Sequence, residues 1–162
     1  MPMLSLAAKV TLSLWAGALA VEDWRHRRLP NAWLAVGVAF GALHWLLWVR
    51  MPFGVTFGNA LLAAVIALLC FVPLYVWGWM GAGDVKFLAV IGWLGGLPLL
   101  ADALLYGSLL AGGFALLAIR AARRKTGWAV VPAGLRRQLP YGTCLGVALL
   151  LLWWQGLGVW SG

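Results

Sequence analysis

Long uninterrupted apolar stretches, at residues 3–21, 32–49, 57–79, 85–94, 97–119 and 141–160, limit what this 162-residue chain can fold into more than any other feature. About 20 apolar residues cross a bilayer as one helix, and within hydrocarbon the backbone must satisfy its own hydrogen bonds. The remaining residues cannot form a water-facing shell, because the chain is 64% hydrophobic and 10% charged. The sequence therefore predicts an all-α membrane protein: one polytopic domain over residues 1–162, built as a bundle of about six transmembrane helices. The first stretch ends near Ala18-Leu19-Ala20, which imitates a leader cleavage site. The basic cluster Arg25, Arg27 and Arg28 follows that stretch instead of preceding it, so it reads as a retained helix.

Basic residues set the orientation. Arg25, Arg27 and Arg28 follow the first stretch, Lys86 the third, and Arg120, Arg123, Arg124, Lys125, Arg136 and Arg137 the fifth, whereas the opposite loops hold only Arg50. The positive-inside rule then places both termini outside the cytoplasm. Lys9, inside the first stretch, reaches the outer interface by snorkelling. The net charge of +8 is accounted for by these anchors and implies no nucleic-acid partner. The fourth stretch is too short: ten residues rise about 15 Å, half a bilayer, before Gly95-Gly96 and Pro98 interrupt it. Lys86 and the Arg120 cluster belong on one side, so an even number of crossings separates them. A short or broken helix four, starting below the membrane surface beside a polar cavity at residues 81–84, meets that condition.

The chain has four carboxylates, Glu22, Asp23, Asp84 and Asp102, and this topology puts the first three at cytoplasmic helix ends. Two carboxylates held together near a low-dielectric wall do not both ionise easily, so such a pair can act as acid and base on a shared water. Asp84 closes Gly81-Ala82-Gly83-Asp84, where glycines permit a tight turn and close approach of a substrate backbone. Alternatively Asp84 caps helix four, and Asp23 is an interfacial carboxylate paired with Arg25, Arg27 or Arg28. Adjacent helical side chains diverge by about 100°, so only one of Glu22 and Asp23 can readily face a common partner. Cys70 and Cys144 lack metal-ligand or C-x-x-C spacing and read as packing residues. His26 and His44 fall on opposite membrane sides and share no metal. Ser108 has no histidine after it in the chain to serve as its base. Asn31, next to Pro30, suits a turn in which it satisfies backbone groups at the start of helix two, while Lys86 is either a topology anchor or a charge that tunes Asp84.

Asp23 with six residues between it and Pro30-Asn31, and Gly81-Ala-Gly83-Asp84-Val-Lys86 further on, resemble the two signatures of type IV prepilin peptidases, D-x6-P-N and G-x-G-D-x-K. Leu139-Pro140-Tyr141-Gly142, opening the last helix, resembles a third shared element. The resemblance covers essentially the full chain, since the motifs follow the first, third and fifth stretches in order. It implies an intramembrane aspartic endopeptidase with Asp23 and Asp84 as its catalytic dyad and Glu22 outside it. Pro30, Asn31, Gly81, Gly83, Lys86 and Pro140 would support the motifs or the substrate. It further implies a prepilin or pseudopilin substrate, cleaved at the cytoplasmic face of the bacterial inner membrane, with no metal or other cofactor. Long bifunctional members add an N-terminal segment with paired C-x-x-C motifs that serves methylation. This chain has neither the length nor the cysteines for that segment, so it is similar to the short peptidase-only form serving Flp/Tad-type systems, and no S-adenosylmethionine site is expected. Two other readings remain at this point: a small transporter or channel in which the two aspartates bind a cation or relay protons, and a non-catalytic factor that only binds pilin helices.

Overall fold

The computed structural model of the protein describes residues 6–26, 29–126 and 141–155. Among them the chain is helical, without strands: α1 (Leu6–His26), α2 (Asn31–Trp48), α3 (Phe57–Val76), α4 (Ala82–Thr126) and α5 (Tyr141–Gln155). Pro140, Arg27, Arg28, Arg136, Arg137 and both termini, which carry part of the orientation argument, lie outside the described residues.

Five helices stand where the sequence predicts about six, because the stretches 85–94 and 97–119 are joined in α4 without an intervening loop. Gly96 supplies the break, at φ 68° and ψ −165°, a conformation that only glycine adopts at low cost. The amide of Leu97, directly after this break, donates to Asn59 Oδ1 of α3 at 2.9 Å. The chain folds back at this point. Asp84, twelve residues before Gly96, interacts electrostatically with Tyr141, while Ser108, twelve residues after it, is 3.4 Å from the Tyr141 hydroxyl. A straight helix would separate Asp84 and Ser108 by about 36 Å.

Local chemistry sets the other helix ends. α1 continues past its apolar run through Glu22 and Asp23 to His26. Pro30 precedes α2 with φ −64° and ψ 132°, a conformation that turns the chain without continuing a helix. Thr56 caps α3 by accepting the Asn59 amide. α3 stops at Gly78, whose φ of 72° lets its amide reach Tyr75 O while the Trp79 amide reaches Leu74 O, the paired bonds of a Schellman motif.

The first segment of α4 is the core. Phe87, Leu88, Ile91 and Leu94 are buried in one cluster with Ala63 and Ala67 of α3, Leu12, Trp15 and Leu19 of α1, and Leu145 and Leu149 of α5. Small residues allow the backbones to come close: a Cβ on Gly92 would sit 2.9 Å from the Ala63 carbonyl carbon, and one on Gly146 would sit 3.1 Å from Ala16 O. Trp15 stands edge-on to Phe87 and donates its indole N–H to Trp33 O at 2.7 Å, tying α1 to the start of α2.

Leu46, Leu69, Leu109, Leu117 and many other apolar side chains point outward, an arrangement suited to lipid and costly in water. Among the described residues, three helices are long and apolar enough to cross a membrane, Asn31–Trp48, Phe57–Val76 and Ala82–Ala121, with Tyr141–Trp154 as a shorter apolar helix. Cys70 is exposed on this outer surface and is therefore not the packing residue expected of it; Cys144 is half-buried, and both are free thiols.

Candidate active site

Three helix ends meet around Asp23: the last turn of α1, the first turn of α4 and the first turn of α5. Asp23 is only 7% exposed although it is an acid at a helix terminus, so its carboxylate needs partners within the protein. Thr143 provides two. Its backbone amide donates to Asp23 Oδ2 at 2.8 Å, and its hydroxyl is 3.0 Å from the same oxygen. That amide is free to point outward because the first four N–H groups of a helix have no partner within it.

Asp84 is placed by helix capping. The Val85 amide reaches Gly81 O, which makes Gly81 the residue that starts α4 and puts Asp84 three positions on. Its carboxylate hydrogen-bonds back to the Gly81 backbone, the acidic half of a capping box. Capping thus accounts for where Asp84 points without exhausting its interactions. It is half-buried and within electrostatic range of both Asp23 and Tyr141, and the Cys144 thiol is within range of Asp23.

Leu29 locks these parts together. A Cβ on Gly83 would lie 3.0 Å from Leu29 Cβ, and one on Gly142 would lie 3.2 Å from Leu29 Cδ1 and 3.0 Å from Asp23 Cγ. Each glycine is therefore a point of close contact, one in each of two helix-opening segments, with the same leucine between them. A second tie joins the motifs at the rim: Lys86 Nζ donates to Asn31 Oδ1 at 3.0 Å across 55 residues of sequence. This corrects the expectation for Asn31, whose side chain does not satisfy the start of α2; that helix has no side-chain cap, and Asn31 holds Lys86 instead.

The remaining sequence candidates fall elsewhere. Glu22 turns to His26 at 3.1 Å, one turn along α1. His44 is at the other end of the bundle, its Nδ1 2.9 Å from Arg50 O. Asp102 is buried six residues past Gly96, about 9 Å along the returning segment. Ser108 lies beside the site, 3.4 Å from the Tyr141 hydroxyl. Among the described residues no three His, Cys, Asp or Glu side chains converge as metal ligands. Leu29 and Thr143 carry no signal in the sequence reading, and Tyr141 and Gly142 enter it only as letters of the motif opening the last helix.

Fold and site together define a helical membrane protein with two carboxylates within electrostatic range of each other at one end of the bundle, each held by a helix-end backbone amide. The chain belongs to the type IV leader peptidase family, whose model matches residues 10–116. It is therefore a peptidase at the level of the family. The matched span contains Asp23, Pro30, Asn31, Gly81, Gly83, Asp84 and Lys86 and stops short of α5. No curated protein and no solved structure matches the chain.

Proposed function

We propose that this protein is an aspartic endopeptidase that removes the leader of type IV prepilins or pilin-like proteins at the cytoplasmic face of the bacterial inner membrane. The observation that carries this reading is the meeting of Asp23 and Asp84 at a single helix junction, from positions 61 residues apart in sequence. One carboxylate takes a proton from a water held between them, and the resulting hydroxide adds to the scissile carbonyl carbon. The other carboxyl donates its proton to the carbonyl oxygen, giving a gem-diol; the proton taken from water then goes to the departing amine as the C–N bond breaks, and one gem-diol hydroxyl returns its proton to the carboxylate that donated, leaving a carboxylic acid. Neither a metal nor another cofactor enters the scheme.

The glycines before Asp84 suit an extended substrate lying against backbone, as in strand-addition recognition. The substrate is a membrane-inserted pilin precursor whose scissile bond sits at the interface, level with the dyad, and anionic lipid brings its basic leader to an enzyme that is itself basic. Co-expression with a candidate prepilin and a gel readout of leader removal tests the proposal directly. Loss of the leader in the presence of the wild-type chain supports it, and ion flux through reconstituted protein without any cleavage would replace it with a transporter.

A further inference from the structure

Thr143 gives both of its donors to one oxygen of Asp23. The amide at 2.8 Å and the hydroxyl at 3.0 Å both reach Oδ2, and among the described residues no protein donor reaches Oδ1. A carboxylate oxygen offers two lone-pair directions, so two donors fill it. The surroundings leave little slack: a Cβ on Gly142 would lie 3.0 Å from the carboxyl carbon, Gly146 packs one turn further along against Ala16 and Ala20 of α1, and the Thr143 hydroxyl also lies 3.1 Å from Ala20 O.

We propose that Thr143 is the positioning residue of the dyad: by occupying Oδ2 it fixes the plane of the Asp23 carboxyl and leaves Oδ1 as the oxygen that exchanges protons with the attacking water. This rests on the aspartic-peptidase reading above. It extends the site to α5, beyond the span matched by the family model. A backbone donor alone would leave the carboxyl free to rotate about its Cβ–Cγ bond and present either oxygen. The hydroxyl removes that freedom, and loss of orientation at a reacting group lowers the rate of the chemical step more than it weakens substrate binding.

The competing role for the hydroxyl is structural. It has one hydrogen, and if that hydrogen goes to Ala20 O the threonine merely ties α5 to α1. Thr143→Val keeps the shape and the amide and removes the hydroxyl. Losing a hydrogen bond to a charged group corresponds to about 10- to 100-fold, expected here in kcat with KM within about twofold of wild type. Thr143→Ser returns the hydroxyl and should recover kcat to within about threefold. Thr143→Ala, which leaves a small gap in place of the branched methyl, is the second variant and should show the same loss should the valine chain fail to accumulate. Unchanged kcat in Thr143→Val or Thr143→Ala, with only a lower melting temperature, would assign the hydroxyl to Ala20 and overturn the proposal. Asp23→Asn measured alongside separates the two levels: cleavage by that variant removes the dyad itself, whereas an inactive Asp23→Asn beside a fully active Thr143→Val removes only the role of Thr143.

Discussion

Replacing Gly142 by alanine adds one methyl group where the structure leaves no room beside the dyad. The new Cβ would lie 3.0 Å from Asp23 Cγ, 3.1 Å from Asp23 Oδ2 and 3.2 Å from Leu29 Cδ1, a few tenths of an ångström inside ordinary contact. The two nearest of these atoms belong to the Asp23 carboxyl, whose Oδ2 is tied to Thr143. The carboxyl must therefore move, and a shift of about 0.4 Å stretches the Thr143 amide bond from 2.8 Å to about 3.2 Å, the limit of a good N–H···O geometry. Misplacing a reacting group by about 1 Å can cost about 100-fold, so a shift of this size should lower kcat roughly 3- to 10-fold. Stability should change less. Alanine gains up to about 1 kcal/mol of helix propensity over glycine, against about 1–3 kcal/mol of overpacking. The assay is the initial rate of leader removal in proteoliposomes, paired with a thermal melt. Gly113→Ala is the control, since a Cβ there meets nothing within 4 Å, and it should keep full activity. Wild-type kcat in Gly142→Ala would refute the claim that a methyl group at position 142 displaces the Asp23 carboxyl.

Three further expectations follow from the same geometry. Asn59→Leu leaves the Leu97 amide at the Gly96 reversal without its acceptor and should destabilise the fold by about 1–3 kcal/mol in a denaturation titration, whereas a neutral result would contradict the account of that turn. Lys86→Met and Asn31→Ala should couple in a double-mutant cycle by about 0.5–1 kcal/mol of stability, a modest value because the bond is exposed, and strict additivity would show that the bond does not hold the two motifs together. Arg50→Cys and Arg120→Cys, made in a background lacking Cys70 and Cys144, should label from opposite sides of sealed vesicles; labelling from the same side would contradict both the positive-inside argument and the fold-back at Gly96.

Much of the architecture is legible in the sequence because apolar runs and their punctuation report directly on helices in a bilayer. Gly95-Gly96 and Pro98 mark the break in the fourth helix, and Gly96 is where it occurs. The helix count differs because a reversal that glycine makes within one residue, with Asn59 accepting from the Leu97 amide, needs no polar loop for hydropathy to detect. α1 runs past its apolar stretch, since Glu22, Asp23, Arg25 and His26 are polar yet helical. In the site, Asp23 and Asp84 are visible because carboxylates are so few. The role of Asn31 is not, because its partner Lys86 lies 55 residues away and a turn residue beside proline invites a local explanation. Thr143 is hidden for the same reason: at a helix start, threonine reads as an ordinary terminus residue, and only the packing of α5 on α1 brings it to Asp23.

The central claim is that Asp23 and Asp84 exchange protons with a shared water, and asparagine at these positions tests it most directly. Asparagine has nearly the shape of aspartate and serves helix ends about as well, so Asp84→Asn should keep the capping turn at Gly81, the fold and membrane insertion, but it cannot exchange a proton. Measured by leader removal from a co-expressed prepilin, Asp23→Asn and Asp84→Asn should each be inactive at wild-type expression, while Glu22→Gln, whose side chain faces His26, keeps most activity. Full cleavage by Asp84→Asn, or loss of activity in Glu22→Gln while Asp23→Asn still cleaves, would contradict the account.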